Sequence, residues 1–176
     1  MKEIVTPLTS NIIERLKVGQ KVSLSGIIYT ARDAAHKRLY SALKSRHVLP
    51  LDLTGQVIFY CGPTPAPPGK VIGACGPTTS SRMDKFTPLL LAHGLKGMIG
   101  KGERSCEVKT AIRKNNAVYF LAVGGAAALL SQYVKEAFMY IYLDLGPEAI
   151  YQLKVEKFPL IVGIDSTGRS IYDKGE

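Results

Sequence analysis

The stretch Gly76-Pro77-Thr78-Thr79-Ser80-Ser81-Arg82-Met83-Asp84 gathers four successive hydroxyl residues and an arginine behind a stiff turn. The apolar run Val71 to Ala74 reads as a buried strand feeding it, and helix-compatible sequence follows. A strand-to-helix junction of this kind collects hydroxyl and amide donors where an anion can sit. Gly76 permits close backbone approach, Pro77 stiffens the turn, and Arg82 offers a planar fork matched to a carboxylate or phosphate. A capped helix with a surface arginine would account for the same residues. Two further cations weigh against that plainer reading. Arg32 stands at the opening of a predicted helix, where a positive charge gains nothing from the dipole and calls for an offsetting anion. Lys101 lies between Gly100 and Gly102 at a predicted strand end, an exposed position that is costly for a long side chain unless it reaches a ligand. An ordinary turn lysine would also fit that local pattern.

The elements that must position these residues are legible in outline. Thr9, Ser10 or Asn11 can cap a short helix through Lys17, with Asn11 and Glu14 at capping-box spacing. Lys21 to Thr30 alternates like a strand, with a bulge expected at Gly26. From Arg32 to Arg46, Ala35, Leu39, Ala42 and Leu43 recur at three and four and place one helical face on the core. Asp33 suits the helix dipole at the opening turn, and His36 reads as solvent-facing. Gly55 to Tyr60 reads as a buried strand, followed by the proline-rich loop Pro63 to Pro68. Thr87 and Pro88 suit the start of a helix that runs to His93 and stops at Gly94, so Arg82 sits in a short turn before it.

Downstream, Lys96 to Gly100 and Ala117 to Ala122 read as strands on either side of a helix capped by Ser105 and running through Arg113. Gly124 and Gly125 open a small-residue helix, Ala126 to Tyr133, and are adjacent to a site at most. The C-terminal part reads as strands at Phe138 to Leu143, Gln152 to Val155, Leu160 to Asp165 and Ser170 to Tyr172, with Ser166-Thr167-Gly168 turning a hairpin. Strands alternating with helices predict an α/β domain, while the clustered C-terminal strands argue against pure double winding. The expectation is one domain over residues 1–176, long enough for a substantial core.

The chain carries 23 basic against 14 acidic residues, a net charge of +9, which suggests an acidic partner: a small anion, an acidic subunit or nucleic acid. The basic residues are scattered and no helix-turn-helix or RNP-like motif is present, which disfavours nucleic acid. The N-terminus lacks the apolar core of a signal peptide, and the charge-free stretch Asn115 to Val134 is interrupted by Gly124-Gly125 and Ser131-Gln132. A cytoplasmic chain without a membrane anchor is expected. Cys61, Cys75 and Cys106 are too widely spaced for a zinc or ferredoxin motif and read as reduced thiols, although three cysteines could in principle hold a cluster with one open iron.

The words GPTTSSRMD (76–84), GLKGMIGKG (94–102) and ARDAAHKR (31–38) resemble, in the family's order, the beta subunit or C-terminal domain of the class I iron-sulfur fumarate and tartrate hydro-lyases. The resemblance covers nearly the whole chain. It implies a three-layer swivelling β/β/α domain and an active site completed with a cluster-bearing alpha subunit in a hetero-oligomer. The 4Fe-4S cluster would be held by that partner, with no metal ligand from this chain. It also implies that Arg32 contacts the dicarboxylate substrate, fumarate/malate or tartrate, and that Lys101 belongs to the active site.

Binding a dicarboxylate demands at least two fixed cations, and Arg32, Arg82 and Lys101 supply three. Removing a proton beside a carboxylate requires stabilising a dianionic intermediate, which fixed positive charge does. Thr78 is the candidate for contact with that proton, either as a base activated by a neighbouring charge or as a hydroxyl donor to substrate oxygen. Lys101 is a compact charge or, with a lowered pKa, a proton carrier. A module that holds a dicarboxylate without chemistry satisfies the same residues.

Overall fold

The structure is a computed structural model that describes residues 1–122 and 127–173. Gly124 and Gly125 lie outside the described residues. The elements run β1 (Lys2–Val5), α1 (Ser10–Glu14), β2 (Lys21–Thr30), α2 (Asp33–Lys44), β3 (Val57–Phe59), α3 (Thr87–Ala92), β4 (Gly97–Gly100), α4 (Cys106–Lys114), β5 (Val118–Leu121), α5 (Ala127–Leu130), β6 (Val134–Ile141) and β7 (Ile150–Ile164). The fold is mixed α/β around one seven-stranded sheet. Among the described residues no helix is long and apolar enough to cross a membrane.

Parallel pairing runs from β2 through β3 and β4 to β5. Antiparallel β7 then pairs with β5 and, from Gln152 to Ile161, with β2. The pairings therefore close on themselves, with β1 added to β2 and β6 to β7. Because side chains alternate along a strand, the sheet buries two different sets of residues. Val57, Phe59, Ile99 and Phe120 join Leu24, Ile28, Phe158 and Val162 in one core. Ile58, Met98 and Tyr119 face the other way, against Ala35 and Leu39 of α2, Leu90 and Leu91 of α3, and Val108 and Ile112 of α4.

Several boundaries follow the local signals. β2 has the expected limits, and its register shifts between Leu24 and Gly26. Thr9 caps α1, its hydroxyl accepting the Ile12 amide at 3.4 Å, so the Asn11–Glu14 box is not the device used. Ser105 caps α4, and Gly94 follows α3 at φ +105°.

Three expectations are corrected. Val71 to Ala74 is not a strand: Thr64 donates to and accepts from this segment through its amide, its carbonyl and its hydroxyl, folding it against the proline-rich loop instead of a sheet edge. Ile72 and Cys75 reach the core, while Val71 stays exposed. The separate strands at 152–155 and 160–165 are one continuous strand, β7, and Ser170 contributes only a single bridge to Ile164. Lys157, at φ +53°, absorbs the irregularity that reads as a break in sequence. His36 is fully buried, because the first turn of α2 packs against Tyr60 and Phe86 rather than facing solvent.

Gly26 is a place where only glycine fits. Its φ is +113°, and a Cβ there would overlap the Thr6 hydroxyl, which donates to the Ile27 carbonyl at 2.7 Å. A Gly26→Ala substitution is expected to cost about 2–3 kcal/mol of stability, read as a lowered urea midpoint with unchanged slope. An unaltered midpoint would show that the bulge tolerates a side chain.

Candidate active site

The site is assembled where β3, β4 and the start of α2 come together. The Tyr60 carbonyl just past β3 accepts the Thr78 amide at 2.7 Å. Thr79 pairs in parallel with Lys101 just past β4, and the Ser80 amide donates to the Lys101 carbonyl at 3.1 Å. A Cβ on Gly100 would overlap Ser80 Oγ, so this glycine lets the short 3₁₀ turn Ser80–Met83 lie on the end of β4. The expected anion cradle at the end of a Val71–Ala74 strand is thus replaced by a loop laid across the ends of two neighbouring strands.

Arg82 projects from that turn. Its Nε and Nη2 donate to the two carboxylate oxygens of Asp33 at 3.1 and 3.0 Å, and Nη2 also donates to Thr78 Oγ1 at 3.0 Å. Asp33 is the first residue of α2, and Arg32 immediately precedes the helix with its Nε 4.0 Å from Asp33. Gly62 makes room for Arg32, since a Cβ there would come within 2.9 Å of Arg32 Cδ. Arg32 Nε is buried and has no hydrogen-bond partner among the described residues. Burial pushes the Asp33 carboxyl upward, but the hydrogen bonds from Arg82 and its own backbone, with the charges of Arg82 and Arg32, outweigh this and hold it below the usual carboxylate range.

Arg32, Thr78 and Arg82 therefore form one linked cluster with Asp33 between the guanidinium groups. Lys101 stands at the adjacent strand end through its backbone pairing with Thr79; its side chain is exposed and makes no hydrogen bond or ion pair among the described residues. Asp33 reads in sequence as a dipole-complementing residue. Nothing local signals that it reaches Arg82, 49 residues away.

Beneath the cluster lies a second charged network that the sequence did not reveal. Arg104 has no exposed side-chain surface and pairs with Asp84 at 2.6 Å. Its Nη2 donates to Tyr60 Oη at 3.2 Å and Thr87 Oγ1 at 2.9 Å, and its guanidinium stacks over the rings of Tyr60 and Tyr119. The other Asp84 oxygen accepts the Ser105 amide at 2.8 Å. Tyr119 Oη lies 2.8 Å from Ser80 Oγ and 2.9 Å from the Gly102 carbonyl. A carbonyl only accepts, so the single phenol proton goes to Gly102 and Ser80 donates to the phenol. The turn bearing Arg82 and the segment bearing Lys101 are thereby fastened to each other from below.

His36 completes the support. Its Nδ1 lies 2.9 Å from the Arg32 carbonyl, which only accepts, so the neutral ring carries its proton there. Nε2 has no partner among the described residues. Burial, opposed by the bond to Arg32 and reinforced by the Arg104 charge, pushes its pKa down to about 4.

The cysteines do not converge on a metal site. Cys61 and Cys75 are buried with their sulfurs 3.0 Å apart, and Cys106 is exposed at the start of α4. The bond to Cys75 and burial drive the Cys61 thiol far above its ordinary value, so it stays protonated. Among the described residues, no group of three or more His, Cys, Asp or Glu side chains is arranged to hold a metal ion.

The chain is of the mixed α/β class, with two guanidinium groups and a threonine hydroxyl gathered on one open edge. Comparison with known proteins gives that class its family: the sequence model described as Fumarase C-terminus matches residues 2–175, and the chain belongs to this family. It is 40% identical over 180 residues to the "Putative L(+)-tartrate dehydratase subunit beta" of Methanocaldococcus jannaschii, covering 99% of this chain and 92% of that protein. It is 36% identical to the anaerobic class I fumarate hydratase of Escherichia coli, spanning 99% of this chain but 31% of that protein. It is 34% identical to fumarate hydratase 2 of Leishmania major, with 92% of this chain and 29% of that protein covered. The chain thus spans about a third of the fumarate hydratases it matches.

The burial of His36 has a pH consequence. Its folded pKa of about 4 lies below its ordinary 6.5, so between those values the unfolded chain binds a proton that the folded chain does not. This contribution is fully present above about pH 6.5 and is lost as pH falls toward 4, a change on the order of 3 kcal/mol. Urea midpoints should fall across that window in the wild type and change much less in His36→Asn. Parallel profiles for the two proteins would refute the assignment.

Proposed function

We propose that this chain is the beta component of an iron-sulfur hydro-lyase that interconverts fumarate and (S)-malate together with a cluster-bearing alpha subunit. The observation that carries this reading is the Arg82 clamp: a guanidinium held by Asp33, bonded to Thr78 and flanked by Arg32. Two carboxylates on one small molecule need two fixed cations, and a guanidinium pairs with a carboxylate in a defined plane. Arg82 and Asp33 each keep 44% of their side-chain surface exposed. Half a site on an open face supports the need for a partner to cover it and exclude water.

In this reading Arg32 and Arg82 bind and orient the two carboxylates, and Lys101 adds a compact positive charge from the neighbouring strand end. As the proton beside a carboxylate leaves, negative charge grows on that carboxylate, and fixed cations stabilise it without reorganising. Thr78 Oγ1 already accepts from Arg82, so its own proton is available to donate to a substrate oxygen. The same adjacent cation is what a base role for Thr78 would require. Among the described residues no group of three or more His, Cys, Asp or Glu side chains is placed to hold a metal ion; held by the alpha subunit, a 4Fe-4S cluster would supply a Lewis acid for the departing hydroxyl.

L(+)-tartrate is the second reading. It is favoured because the relative matching this chain over nearly its full length is named a tartrate dehydratase subunit, whereas the fumarate hydratases are far longer. Both substrates are dicarboxylates and differ in hydroxyl groups, which the partner's side of the site would help to read. The same family membership supports a three-layer swivelling β/β/α fold in one domain, and the helices packed over one face of the sheet agree with it. A cytoplasmic hetero-oligomer is part of the proposal.

The test is an anaerobic assay of the chain reconstituted with its cluster-bearing partner against malate, fumarate and both tartrate enantiomers. Arg82→Lys keeps the charge but loses the fork, and kcat/KM should drop about a hundredfold; unchanged kinetics would remove Arg82 from the site. Thr78→Ala separates the two roles of that hydroxyl. Exchange of the malate C3 proton with solvent should collapse if Thr78 is the base, and undiminished exchange would leave it only a binding role.

A further inference from the structure

Arg82 has five N–H donors, and the structure uses a specific subset of them. Nε and Nη2 grip Asp33, and Nη2 also reaches Thr78. Nη1 makes no hydrogen bond among the described residues. The Nε/Nη2 edge, the one a ligand carboxylate would ordinarily take bidentately, is therefore already filled by a carboxylate of the protein itself.

Asp33 could be a stand-in that an incoming anion evicts, or a resident that stays. Three observations favour residence. It is the first residue of α2, where the helix dipole favours negative charge. It lies between two guanidinium groups, with Arg82 Nη2 at 3.0 Å and Arg32 Nε at 4.0 Å. An evicted Asp33 would also remain beside the arriving dianion, placing like charges together. The other nearby carboxylates have different partners: Glu148 Oε1 accepts the Ala34 amide at the N-terminus of α2, and Asp84 is bound to Arg104.

Resting on the dicarboxylate reading above, we infer that Asp33 is a positioning and specificity-determining residue that fixes Arg82 by its Nε/Nη2 edge, leaves the two Nη1 donors for the ligand, and trims the site's charge to that of a dianion. Arg32, Arg82 and Lys101 contribute three positive charges and Asp33 removes one, which leaves a net of two to face two carboxylates. A site built this way discriminates by ligand charge as well as by shape.

The discriminating measurement is the ratio of affinities for two ligands that share a skeleton and differ in charge, the dianion succinate and the trianion tricarballylate. It is made by titration of the full chain at low salt near neutral pH, and as competitive inhibition of the complex reconstituted with its partner. Asp33→Asn should shift the ratio toward tricarballylate by about tenfold, with a melting temperature close to wild type. Asp33→Glu, which keeps the charge but moves the fork, should restore the ratio while weakening both ligands. A merely structural role for Asp33 would weaken both ligands together and leave the ratio alone. An unchanged ratio in Asp33→Asn, with both ligands still bound, overturns the inference and leaves the dicarboxylate site standing. Absence of any binding or inhibition by either ligand in the wild type ends the dicarboxylate reading itself, and the inference with it.

Discussion

A guanidinium with no exposed side-chain surface is tolerable only where every part of its charge is answered, and Arg104 meets that condition. Asp84 supplies the counter-charge, Tyr60 and Thr87 take hydrogen bonds, and the faces of Tyr60 and Tyr119 cover the plane. Each partner belongs to a segment that also shapes the site. Asp84 closes the turn bearing Arg82, Tyr60 holds the Thr78 amide, and Tyr119 ties Ser80 to Gly102. Removing the charge from the centre would leave Asp84 mostly buried without its partner, so the geometry above depends on the pair below.

The sheet makes that convergence possible. β3, β4 and β5 lie side by side and parallel, so their C-terminal ends share one edge, and crossover connections bring α2, α3 and α4 back over a common face. The loops that leave those ends are thereby gathered, as they are in parallel α/β sheets generally. β7 braces the assembly by pairing with both β2 and β5, so the strand ends cannot spread apart without breaking two ladders.

The open face above is electrostatically unusual in one respect: its most tightly held cation is partnered by the protein's own acid. Asp33 and Arg82 are each nearly half exposed, and a surface pair of this kind contributes little to stability. Its consequence is geometric. Arg82 is kept in one orientation, next to Thr78, while Arg32 keeps a buried Nε without a hydrogen-bond partner among the described residues. Pre-arranged donors of that kind cost a ligand less ordering on arrival.

Sequence alone was sufficient wherever the physics is local. The alternation in Lys21–Thr30, the bulge at Gly26, the Ser105 cap and the stop at Gly94 follow from strand periodicity and from the backbone freedom of single residues. The types of residue at the site were legible for the same reason, since a planar fork and a run of hydroxyls suit an anion wherever they lie. What tertiary structure decided was which groups meet. Val71–Ala74 has the composition of a strand but turns to Thr64, because a strand needs a neighbour and the loop offers hydrogen bonds first. His36 is buried because of what α2 packs against, Arg104 finds Asp84 across the fold, and Asp33 reaches Arg82 from another segment. The energies of such pairs depend on distance and burial, and neither exists until separate stretches of chain have been brought together.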